Sequence, residues 1–79
     1  MSLDEILEEF PEEEFLKADG FDDAVIGLEY NTMKLVYDMN KMIDILVKEG
    51  MQYEEAVEYL EFNTWSAYVG EKTPIYIQI

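Results

Sequence analysis

Apolar positions follow two different periods along the chain. Leu3, Ile6, Leu7 and Phe10 recur at i, i+3, i+4 and i+7, with Asp4, Glu5, Glu8 and Glu9 between them, which predicts an amphipathic helix. Ser2 and Glu5 stand at capping-box spacing, so the helix starts at Leu3. Pro11 lacks a backbone donor and its ring crowds the carbonyl four residues back, so either the helix kinks there or a new turn begins. On this reading residues 1–18 form an acidic helical segment that Ala18-Asp19-Gly20 brings to a close. The period then changes. Residues 24–30 and 33–37 are rich in β-branched and aromatic side chains and flank Asn31-Thr32, which predicts a hairpin with Asn31 taking the positive φ of a tight turn. Helical spacing returns at Met39, Met42, Ile43 and Leu46, closed by Gly50, which gives a helix over 39–49. A second helix over 53–66 carries Tyr53, Ala56, Val57, Leu60 and Thr64 on one side. Ile75, Tyr76 and Ile77 then alternate as a final strand through Ile79.

The order α-β-β-α-α-β defines an α+β fold. The expected form is one domain over 1–79, with a small three-stranded antiparallel sheet packed against the two main helices in a core spanning 19–79. Ile26, Leu28, Leu35, Ile43, Leu46, Val57, Leu60, Ile75 and Ile77 are the residues whose spacing directs them into one core.

Charge changes this picture most. Nineteen Asp and Glu stand against five Lys, with neither Arg nor His, giving a formal net charge of −14. Phosphate recognition relies on clustered Lys and Arg, and Lys17, Lys34, Lys41, Lys48 and Lys72 are scattered singly, which argues against direct nucleic-acid or anionic-membrane binding. There is no Cys, so neither a disulfide framework nor a thiolate metal site can form. No apolar run approaches the roughly 18 residues of a membrane span, and the first residues are acidic where a secretory signal is basic, so the expected location is the cytoplasm.

Catalytic chemistry is constrained in the same way. Nucleophilic catalysis of the Ser-His-Asp or Cys-His kind lacks its base, and zinc, copper and haem lose their usual ligands. Asp19-Gly20-Phe21-Asp22-Asp23 superficially suggests a calcium loop but lacks the alternating ligand positions and the terminal bidentate Glu. The reading is therefore a non-enzyme with no cofactor and no metal.

The candidate contact residues are the acids of the N-terminal quarter: Asp4, Glu5, Glu8, Glu9, Glu12, Glu13, Glu14, Asp19, Asp22 and Asp23. Were residues 3–17 wholly helical, seven carboxylates would lie along about 22 Å. That spacing approaches the ~3.4 Å between charges on a DNA strand, so nucleic-acid mimicry is physically available. Glu54, Glu58 and Glu61 are expected to adjoin this face, and Trp65 and Tyr68 are candidate aromatic anchors. Acidic runs are more commonly solvated faces that keep a protein soluble, and aromatics placed like those at 65 and 68 more often complete a small core.

Asp19-Gly20-Phe21-Asp22-Asp23-Ala24-Val25-Ile26-Gly27, Tyr37-Asp38, Gly50-Met51, Glu54-Glu55-Ala56-Val57-Glu58-Tyr59, Glu61-Phe62-Asn63 and Ala67-Tyr68-Val69-Gly70-Glu71-Lys72-Thr73-Pro74 together resemble a group of small, acidic, uncharacterised proteins of bacteriophages and prophages. The likeness covers about two-thirds of the chain, from Asp19 to Pro74, and the acid-rich first eighteen residues are less typical of the group. It implies an origin rather than a mechanism. The expectation is a phage-encoded accessory protein that binds and modulates a host protein through that protein's basic surface, in its sharpest form a nucleic-acid-mimicking inhibitor of a DNA-binding or defence factor. The alternative is a phage structural or assembly component. A divalent-cation-dependent enzyme using carboxylates is a distant third, and self-association is compatible with all of these.

Overall fold

A computed structural model describes all residues, Met1–Ile79. Helix α1 (Leu3–Glu9) starts where its cap dictates: Ser2 Oγ accepts from the Glu5 amide at 3.3 Å, and the Glu5 carboxylate accepts from the Ser2 amide at 3.0 Å. It ends earlier than the periodicity predicts. Phe10 precedes proline, where steric conflict disfavours helical ψ, and it adopts φ −128°, ψ 65°. Residues 11–21 contain no helix, so the expected helical segment over 1–18 is corrected to seven helical residues followed by an irregular strap. Leu3 and Ile6 are buried, and Leu7 lies exposed.

A 3-10 turn (Asp22–Ala24) leads into strand β1 (Val25–Glu29), which pairs antiparallel with β2 (Lys34–Asp38). A bulge between Val25 and Gly27 shifts the register there. The turn at 30–33 is tied by Glu29, whose carboxylate accepts from the Thr32 amide at 2.7 Å and the Thr32 hydroxyl at 2.6 Å. Its positive φ falls on Met33 (54°) and not on Asn31.

Asp38 ends β2 and caps helix α2 (Met39–Lys48), accepting from the amides of Asn40 at 2.9 Å and Lys41 at 3.3 Å. Its carboxylate is buried, and these two donors serve the charge that burial would otherwise penalise. Gly50 at φ 112° closes α2 in a Schellman arrangement, with Gly50 N–H on the Val47 carbonyl and Met51 N–H on that of Leu46. Helix α3 (Tyr53–Leu60) follows and continues into a π-helical turn (Glu61–Trp65).

The sheet order is β1-β2-β3, with β3 (Ile75–Ile77) beside β2 in parallel, so the expected wholly antiparallel sheet is corrected to a mixed one. Residues 39–74 supply the long crossover that a parallel pair needs. Alternation in a five-residue stretch identifies a strand and is silent on its direction.

Register then fixes which side chains share a face. Val25, Leu28, Leu35, Tyr37 and Tyr76 lie on one side, and Gly27, Val36, Ile75 and Ile77 on the other. The first side meets the core formed by Leu3, Ile6, Phe21, Met42, Ile43, Leu46, Ala56 and Leu60. Helix α1 packs on β1, α2 on β2, and α3 chiefly on α2, so sheet cover comes from α1 and α2 rather than from the two later helices together. Of the nine expected core residues, Leu35, Ile43, Leu46 and Leu60 are buried. Ile26, Leu28, Val57 and Ile75 are half-buried, and Ile77 is exposed on the open second face.

Candidate functional site

The strap over residues 10–20 crosses from α1 towards the segment before β3, held at three places. Phe10 packs obliquely on Tyr30 with ring centroids 6.2 Å apart. The Ala18 amide donates to the Tyr37 hydroxyl at 2.8 Å. Lys72 Nζ reaches Glu13 Oε2 at 2.8 Å and the Glu14 carbonyl at 3.1 Å, 5.7 Å from the centroid of Phe15. Between strap and α3 lies an open cavity of about 330 Å³, lined by Leu16, Asp19, Tyr59, Asn63, Val69 and Tyr76 among others. Burial raises the Tyr37 phenol above its ordinary pKa despite the Ala18 amide, which favours the ionised form, and burial likewise raises Tyr76.

All ten N-terminal candidate acids are exposed. Asp4, Glu5, Glu8 and Glu9 belong to α1, Glu12, Glu13, Glu14 and Asp19 to the strap, and Asp22 and Asp23 to the 3-10 turn. The continuous 22 Å rod of charge is therefore absent: α1 spans about 10 Å. Glu5 is committed to its cap, and the donation from Ser2 lowers its pKa. Glu29 is lowered in the same way by Thr32. Glu13 is neutralised by Lys72, the one ion pair in the structure. Nowhere do three or more carboxylates converge to hold a metal ion. In the Asp19–Asp23 stretch, Phe21 is drawn into the core and Asp22 and Asp23 open a 3-10 turn.

Glu54, Glu58 and Glu61 stand on the outer face of α3 and its π turn, where they line an open groove with Tyr53 and Val57. Neighbouring them is a second groove lined by Met51, Glu55, Glu58, Tyr59, Phe62 and Asn63. Phe62 is 86% exposed, Tyr53 62% and Tyr59 44%. The two aromatic candidates separate: Trp65 packs against the core, its Nε1 directed at Met42 Sδ at 3.4 Å, whereas Tyr68 is 78% exposed.

Sequence reasoning did not single out Tyr53, Glu55 or Phe62. The signal for Phe62 was present in its offset: two residues past buried Leu60, it stands about 200° around the helix from the apolar stripe. Helical spacing places Tyr53 with the apolar side of α3, and the structure corrects this: at the helix start its ring is exposed. The π turn explains why Trp65 replaces Thr64 as the deeper contact, since widening the helix brings residues five apart into line and Trp65 follows Leu60 by five.

No helix is long and apolar enough to cross a membrane. Comparison of the chain with protein-family models, with curated proteins and with solved structures returns no match.

Proposed function

We propose that this chain is a non-enzymatic binding module that engages a basic protein surface, its acids steering the encounter and its exposed rings anchoring it. The observation that carries this reading is the imbalance between nineteen carboxylates and one internal ion pair. Charges left unpaired on the surface project a field that accelerates encounter with a cationic partner. Complementary charge supplies rate and selectivity, and rings near the centre of a contact supply most of the lasting energy. The resemblance to phage proteins favours a protein of the host cell as the partner, and a DNA-binding or defence factor would have the basic surface this reading needs.

The test uses a Gln variant of Glu8, Glu9, Glu12 and Glu14, chosen because Glu5 caps α1 and Glu13 pairs with Lys72. A host protein captured by the chain should associate with the variant on the order of tenfold more slowly, and binding to the parent should weaken steeply as salt rises. Duplex DNA should compete for the captured protein if the acids occupy a phosphate site. An association rate indifferent to both salt and the substitutions removes the steering role.

A further inference from the structure

The outer face of α3 combines two features that select the same ligand. Glu55 and Tyr59 are four residues apart, as are Glu58 and Phe62, so each carboxylate neighbours an exposed ring on the helix surface. Glu58 borders both grooves and thus serves a second site with Tyr53 and Glu61. The face of an aromatic ring is electronegative and a carboxylate is anionic, so both favour a cation. None of the chain's lysines supplies it: the one ion pair lies at the strap. Like charges spaced three or four apart also repel mildly along the helix, and a cation seated among them relieves that repulsion.

Resting on the binding-module reading, we infer that this face recognises an arginine-bearing peptide segment of the partner, with guanidinium groups stacked on Phe62, Tyr59 and Tyr53 and held by Glu55, Glu58 and Glu61. The charge of the rim fixes the class of occupant. An anionic segment is repelled, and a neutral apolar one leaves the carboxylates to be desolvated without partners. Arginine is preferred to lysine because guanidinium is planar and weakly hydrated, stacks on rings and meets carboxylates in a two-point contact, whereas ammonium is a compact, strongly hydrated charge.

The probes are two synthetic peptides identical except that every Arg of one is Lys in the other, titrated into the chain by calorimetry and by amide chemical shift. The Arg peptide should bind about fivefold or more tightly than the Lys peptide, with shifts concentrated at residues 53–62. Phe62→Ala and Phe62→Leu should both abolish that preference while leaving Tm unchanged, since the ring is exposed and the second variant keeps its apolar bulk. Glu58→Gln should weaken both peptides. Equal affinity for the two peptides, indifferent to Phe62→Ala but reduced by the Gln variant of Glu8, Glu9, Glu12 and Glu14, would overturn the arginine site and leave the acidic binding module standing. Failure of both peptides to bind at low salt overturns both readings.

Discussion

Two stretches of the chain are equally acidic. Asp4–Asp23 has ten acids in twenty residues and Glu54–Glu61 four in eight, one carboxylate for every two residues in each. They differ in where their apolar side chains point. In the first, Leu3, Ile6 and Phe21 are buried and Phe10, Phe15 and Ala18 pack against the core, so the outward side chains are carboxylates with Leu7 and Leu16 among them and no fully exposed ring. In the second, Ala56 and Leu60 are buried and Val57 packs against the core, while Tyr59, and Tyr53 and Phe62 at its two ends, face solvent beside the glutamates. Charge density by itself therefore does not distinguish a solvated surface from a contact surface. On the proposed reading the residue that a carboxylate neighbours makes the distinction, because a ring beside it adds stacking and dispersion that water does not replace.

The strongest way to break this contrast is to truncate one apolar residue from each stretch. Ile6→Ala removes a wholly buried side chain and should cost about 2–5 kcal/mol in denaturant unfolding, while Phe62→Ala should change stability by less than about 0.5 kcal/mol. Comparable losses at both positions would mean that the α3 face is as structural as α1.

A smaller effect is expected where the strap meets the sheet. Tyr37→Phe leaves the Ala18 amide without its acceptor and should cost about 1–3 kcal/mol near neutral pH. The phenol's pKa is raised in the folded state, so its protonated form contributes stability below the unfolded value of 10.0 that is lost as pH rises through the folded value. The gap between parent and variant should accordingly narrow above pH 10 in thermal melts, and a constant gap would remove the hydroxyl from the alkaline transition.

The smallest effect belongs to the ion pair. Lys72→Ala should cost about 0.2–1 kcal/mol, because both partners are partly exposed. Added salt should shrink the difference, and limited proteolysis should show faster cleavage within residues 10–20. Unaltered cleavage would show that Ala18 and Phe10 alone fasten the strap.

Periodicity made the element order legible because each element presents its own repeat: Met39, Met42, Ile43 and Leu46 allow no reading but a helix facing the core. The ends and directions were less legible for physical reasons particular to each. Phe10 leaves the helix because of the ring that follows it, although the acids beyond Pro11 favour helix individually. Met33 takes the left-handed conformation because the turn is set by the Glu29 to Thr32 bonds, which outweigh the ordinary preference of Asn for that region. Within the candidate site, the acids were legible as residues, but their division among α1, strap and α3 was not, since it depends on where the chain turns. Trp65 lies against the core in place of Thr64 because a π turn alters the angular spacing that an α-helical count assumes.

The parallel ladder of β2 and β3 also orders events in time. The β1–β2 hairpin closes over residues 30–33, whereas β3 can dock only after 39–74 have been brought back to the sheet, so the entropy of closure falls on the last strand. Until it docks, Ile75-Tyr76-Ile77 is an uncharged, β-prone stretch, and it remains an edge strand afterwards. Partly folded chains that meet through such a stretch aggregate. A net charge of −14 opposes every such meeting, which makes the acidity a guardian of folding whatever it contributes to binding.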